Sequence, residues 1–210
     1  NFVFSWEKAQ RILALGITSG LQHAIFAMAN LFIQSAVNTF SAAVVEGNSA
    51  AANADSLVYE VMAAPYTACS TFISQNYGAH NKERIQKAYR VSLVYSFGVG
   101  AVLGLALMFF GGGFLRIFTP DPEVIAAGME KLHIMGWSYA FSAFMDNSLA
   151  ASRGLGKSAV PVAIVILGSC VFRVIWVYTI FAMFHTLTSL YLLYILSLIH
   201  ISEPTRLGMI

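Results

Sequence analysis

The sequence predicts an all-α, polytopic membrane helix bundle, and three observations lead there. Of its 210 residues, 58% are hydrophobic and only 10% charged, against about 25% charged in a soluble domain. The mean hydropathy is +0.69. Uncharged stretches of membrane-crossing length recur along the chain, without the in–out alternation of barrel strands; in a bilayer an isolated strand cannot cross, because its backbone groups would lack partners. This composition argues against a soluble enzyme, a disordered tail and a nucleic-acid-binding module. The net charge of +2 is too small to suggest a polyanion partner.

The elements follow from where charge is missing. Residues 12–45, 61–81 and 91–115 carry none, 132–152 carry only Asp146, and 158–202 carry only Arg173. Each stretch reaches the ~20 residues that cross ~30 Å of hydrocarbon as a helix. The predicted spans are 12–45 (bent or partly interfacial), 49–76, 89–115, 123–152 and 158–184, with a sixth starting near Thr186. The segment Asn81–Arg90 reads as a loop entering a helix start. Pro65, in mid-span, removes a backbone hydrogen bond and bends its helix, and Gly111–Gly113 loosens the end of the next one. Cys69 and Cys170 lie within apolar runs and read as buried thiols.

Lys and Arg in the short loops set the expected orientation. Lys8, Arg11, Lys82, Arg84, Lys87, Arg90, Arg153 and Lys157 fall on one side, and Arg116 and Lys131 on the other. That asymmetry predicts a cell-membrane protein with its N-terminal end in the cytoplasm. The first residue is Asn, with a charged segment running straight into a span, as in the interior of a membrane protein. Leu196–Arg206 reads LSLIHISEPTR, which resembles the translation of a sequencing-library adapter. The expectation is therefore a fragment whose natural sequence ends near Ile195, with 196–210 a non-native tail.

Charged groups in the bilayer need a reason, since one at its centre costs about 2.5–3.5 kcal/mol on insertion scales. Asp146 lies seven residues before Arg153, or roughly 10 Å of helix. Two readings are open: a proton or cation site, with Tyr139 on the same helix face lining the same cavity, or a bonding role toward a neighbouring helix. Glu60 and Arg173 reach similar depths and could form an intramembrane ion pair, structural or substrate-facing. Asp55 falls nearer the outer headgroups. In the first span, Asn30, Gln34 and Asn38 share a face, and Gln22 joins them less securely; such a stripe faces a cleft or a neighbouring helix rather than lipid. His23 reads as a bonded core residue or a proton-coupling group.

No catalytic or metal-ligating constellation stands out, so a membrane-embedded enzyme is disfavoured, and no cofactor is implied. Arg153–Ser158, RGLGKS, lacks the first glycine of a phosphate-binding loop, because Ala151 stands there.

Several stretches carry a family resemblance. These are Gly16–Gln34 (GITSGLQHAIFAMANLFIQ), Gly47–Asn53 (GNSAAAN), Phe72–Asn81 (FISQNYGAHN), Met145–Pro161 (MDNSLAASRGLGKSAVP) and Gly168–Trp176 (GSCVFRVIW). Over about 1–195 the chain resembles the C-terminal half of a MATE (multidrug and toxic compound extrusion) transporter. The resemblance implies one six-helix lobe, helices seven to twelve, with the last truncated and the N-terminal lobe of the same chain as its missing partner. It also implies a secondary antiporter that exports cationic or amphipathic organic compounds, meaning small organic cations, in exchange for Na⁺ or H⁺. Asp146 then becomes the coupling or cation-binding residue, and Tyr139 its neighbour. The sequence departs from the family pattern at Ser74 and His80, where the turn motif has glycines, and at Gln22 to Phe26, where many relatives carry an acid. A lipid-linked sugar flippase of the same superfamily is the alternative, disfavoured because Arg173 is the one basic residue placed inside the membrane. A non-transporting membrane scaffold is another. Lipid is an expected partner, and nucleic acid is not.

Overall fold

The fold comes from a computed structural model that describes residues 5–157 and 159–207, with backbone alone at residues 11, 161 and 198–207. The described residues form helices and no strand. Four long helices come first: α1 (Trp6–Val37), α2 (Ala42–Gly78), α3 (Lys82–Leu115) and α4 (Pro122–Gly154). Helix α5 covers 159–184 and alternates α-helical and π-helical turns, the latter at Ile166–Val171 and Val177–Phe181. Helix α6 is Leu187–Leu207. Three apolar stretches among the described residues are long enough to cross a membrane: Trp6–Val37, Lys82–Leu115 and Val162–Phe184. Helices α2 and α4 are also long enough, at 37 and 33 residues, but carry more polar groups, because they form the centre of the bundle.

Local signals explain the helix ends. Asn81 caps α3 by accepting the Arg84 N–H at 3.1 Å, so Asn81–Arg90 is a helix start. Asp121 caps α4 by accepting the Glu123 N–H at 2.8 Å, with Pro122 in the first turn, where proline is favoured. The α2–α3 turn ends on His80 at φ 54°, a left-handed conformation that side chains resist; this is the turn-motif position where the resembling family has glycine. Past α4, Gly156 has φ 73°, which explains the second glycine of the Arg-Gly-x-Gly motif.

Two expectations are revised. The first span does not run to residue 45: α1 ends at Val37 and the chain reverses over 38–41. Asn38, Thr39 and Ser41 make an uncharged turn, so lack of charge could not reveal it. Gly111 does not loosen α3. A Cβ there would lie 2.8 Å from Leu132 Cδ1, so this glycine serves helix contact.

Helix α4 packs along both α2 and α3, and α6 lies against α4; α1 pairs mainly with α5. Two apolar layers line the α2–α4 seam. Ala50, Ala51, Ala54, Leu115 and Leu132 form one layer, and Val58, Met62, Met135, Tyr139 and Ala143 the next. A second core joins α1, α5 and α6 through Ile33, Val37, Phe181, Leu190 and Leu193. Small residues set the closest approaches, as expected where lipid offers no hydrophobic drive to associate. A Cβ on Gly47 would sit 2.5 Å from Val124 O, and one on Gly100 2.9 Å from Tyr139 O. Polar side chains such as Ser138, Ser142, Asn147 and Ser148 are buried, while Phe109, Phe110 and Ile117 stand on the outside. Both cysteines are buried and free.

Candidate functional site

A cavity of about 560 Å³ opens between α1, α2, α4, α5 and α6. Its lining includes Gln22, His23, Asn30, Gln34, Asp55, Glu60, Asp146 and Arg173, all singled out from sequence, together with Asn48 and Lys131. Lys131 and Asp146 are fifteen residues apart on α4, so the polar lining extends about 22 Å along the bundle. Tyr59, Tyr66, Phe26 and Tyr194 supply aromatic walls.

At one end sits Asp146. Its carboxylate is half-buried, and its buried Oδ2 has no hydrogen-bond partner among the described residues. Arg153, one turn-pair further along α4, is drawn inward. Its Nη2 donates to Gln22 Oε1 on α1 at 2.8 Å. Gly154 lets α4 approach α2 here, since a Cβ would come 2.7 Å from Ser70 O. The Asp-to-Arg-Gly motif therefore gathers an acid, a base bonded to a neutral amide and a tight helix crossing within about two turns of α4.

In the middle, Arg173 is 8% exposed and lies on the short α-helical stretch between the two π-helical segments of α5. Such segments frequently mark functional positions. Its Nη1 donates to Asn30 Oδ1 at 3.0 Å. Its guanidinium lies 5.7 Å from the Phe26 ring centroid and 4.8 Å from that of Tyr194, within cation–π range. The expected Glu60–Arg173 ion pair is not formed among the described residues. Asn30 and the two rings hold Arg173 toward α1 and α6, and Glu60 stays exposed on α2.

At the other end a polar cluster forms that sequence reasoning did not assemble. Lys131 Nζ lies 3.0 Å from Asp55 Oδ2 and donates to Asn48 O at 3.5 Å. Asn48 Nδ2 donates to Gln34 Oε1 at 3.2 Å, and Gln34 Nε2 to Asn38 Oδ1 at 3.0 Å. Tyr191 OH donates to Asn48 Oδ1 at 3.3 Å. The Tyr139 hydroxyl donates to Asp55 Oδ1.

Two further expectations change here. Tyr139 does not line a cavity shared with Asp146. It is fully buried against α2, packs edge-on to Tyr59 at 5.9 Å and spends its hydroxyl on Asp55. Lys131, counted with the loop cations although it falls within the predicted 123–152 span, is buried. The signal was available: the Asp121-Pro122-x cap starts α4 at 122, which puts Lys131 about 14 Å into the helix. Asn38 falls outside the lining and caps α1. Within the Asn30–Gln34–Asn38 stripe, Asn30 meets Arg173 and Gln34 meets Asn48 on neighbouring helices, whereas Asn38 bonds Gln34 of its own helix and is exposed.

Comparison with known proteins gives the arrangement its context. The chain is 28% identical over 151 residues to the probable multidrug resistance protein YpnP of Bacillus subtilis (strain 168), covering 71% of this chain and 34% of that protein. It is 24% identical over 159 residues to the probable multidrug resistance protein NorM of Thermotoga maritima, covering 76% and 34%. In three dimensions it superimposes on a MOP superfamily transporter from Pyrococcus furiosus with a TM-score of 0.87 at 20% identity, covering 99% of this chain and 48% of the other. On the MATE transporter ClbM in complex with Rb⁺ the TM-score is 0.85 at 20% identity, with 96% and 47% covered. The chain thus spans about a third of the length of these curated relatives and about half that of the solved transporters, as one lobe does. The MatE family pattern matches residues 19–179, and the chain belongs to that family, one of membrane transporters rather than enzymes.

Proposed function

We propose that the intact protein is a secondary antiporter that exports cationic or amphipathic organic compounds in exchange for Na⁺ or H⁺, with Asp146 as the group that loads the coupling ion. The observation that carries this reading is the Asp146 carboxylate, which lines an interhelical cavity while its buried Oδ2 lacks a partner among the described residues. Three cations beside the cavity each have a partner, Lys131 in Asp55, Arg173 in Asn30 and two rings, and Arg153 in Gln22, although the Nε of each arginine has none among the described residues. A partnerless acid at membrane depth stays charged only while water reaches it, and binding a proton or cation removes that need. Loading Asp146 therefore favours closure of the cavity around it, which biases the two access states differently. Glu60 and the aromatic walls complement an organic cation.

The reading includes a place in the cell membrane with the Arg84–Arg90 side in the cytoplasm. The loop charge asymmetry supports it, and burial of Lys131 sharpens that asymmetry by removing a cation from the sparse side.

The test is Asp146→Asn in the intact protein, with ethidium efflux measured in cells and membrane insertion checked by fractionation. Efflux is lost while insertion is kept. Normal ethidium efflux by the inserted variant would refute the role.

A further inference from the structure

We propose that the oxygen-lined pocket around Lys131 Nζ is a monovalent-cation site which the chain fills with its own ammonium group. Both oxygen donors come from α2, and Lys131 reaches them from α4. Asp55 supplies a carboxylate 3.0 Å from Nζ, and the main-chain carbonyl of Asn48 lies 3.5 Å away. Around these, the Asn48 amide is held by Gln34 and Tyr191, and the Tyr139 hydroxyl fixes the second oxygen of Asp55. The side chains of Lys131 and Asp55 are 6% and 15% exposed, so the pair is largely removed from water yet borders the cavity. A carboxylate beside a main-chain carbonyl is a donor set suited to a small monovalent cation. A lysine ammonium is a compact point charge with three donors and no acceptor. At this depth it stands where a free ion would otherwise be needed to neutralise Asp55.

The consequence is a division of labour along the cavity. The Asp55 end carries a cation that is covalently tethered to α4 and cannot leave, so it responds to no ion gradient. The Asp146 end, fifteen residues away on the same helix, keeps an acid without such a partner. The tethered cation also ties α2 to α4 permanently, so that the two central helices move as one body. Loss of the ammonium should convert Asp55 into a site for free ions. The inference does not depend on the exporter reading, because its readout is ion binding rather than transport.

The experiment measures ²²Na⁺ binding to the intact protein purified in detergent, as wild type, Lys131→Met and the double variant Lys131→Met/Asp55→Asn. The single variant should bind one more Na⁺ per molecule than wild type, and the double variant should return to the wild-type number. Lys131→Arg, which keeps a tethered cation, should also bind as wild type does. Thermal unfolding in NaCl against choline chloride gives a second readout, in which Na⁺ raises the midpoint of Lys131→Met and of neither other form. Equal Na⁺ stoichiometry in wild type and Lys131→Met overturns the proposal, as does an extra site that survives Asp55→Asn. It is equally overturned if Lys131→Met cannot be isolated in NaCl while the double variant can, because Asp55 then accepts no free cation.

Discussion

Two alanine substitutions on one helix should have opposite effects. Gly104 and Gly98 both lie in α3, six residues apart. A methyl group on Gly104 would run into the Gly136 carbonyl oxygen of α4, with the carbonyl carbon at 3.1 Å and Cα at 3.4 Å. Everything it meets is backbone, so no rotamer change relieves the overlap, and α3 must move off α4 by roughly 1 Å. Inserting one methyl into a tight contact costs about 1–3 kcal/mol. A retreat of 0.5–1 Å also forfeits a quarter to a half of each displaced contact. Replacing glycine inside a helix returns about 0.8–1.0 kcal/mol. The net for Gly104→Ala is a loss of about 1–2 kcal/mol. A methyl on Gly98 meets nothing within 4 Å, so Gly98→Ala keeps only the helix-propensity gain, up to about 1 kcal/mol. The two variants should differ by about 2–3 kcal/mol, read as a midpoint gap of several degrees in thermal unfolding of the detergent-purified intact protein. Equal midpoints, or a Gly98→Ala variant as unstable as Gly104→Ala, would show that close backbone approach does not hold α3 on α4.

Other substitutions test other parts of the fold. Tyr139→Phe removes a donor from a largely buried carboxylate and should destabilise by about 1.5–3 kcal/mol; a double-mutant cycle with Asp55→Asn in the same unfolding assay should show strong coupling, and additivity would break the assignment. His80→Gly should raise the unfolding midpoint, because relief of a left-handed side chain, about 1–2 kcal/mol, exceeds the added freedom of the unfolded chain, about 0.4–1 kcal/mol. A lower midpoint for that variant would mean the His80 side chain makes contacts that outweigh its backbone strain.

Class, helix number and family were legible from sequence because they rest on properties that accumulate along the chain. Missing charge over twenty-residue windows and the spacing of the Arg153-Gly154-Leu155-Gly156 turn need no partner to be read. Eight of the ten singled-out polar residues, among them Asp146 and Arg173, line one cavity, since a polar group at membrane depth has few places to go but inward. Partnership was another matter. Depth along a helix suggested Glu60 for Arg173 and Asp146 for Tyr139, whereas the packed bundle gives Arg173 to Asn30 and Tyr139 to Asp55. Lys131 shows why. Its place in the sequence fits a loop as well as a helix, and only the crossing of α2 over α4, set by Gly47 and the alanines beside it, brings Asp55 to its ammonium. Sequence determined which groups must avoid lipid; helix azimuth and interhelical distance, long-range products of packing, decided which of them met.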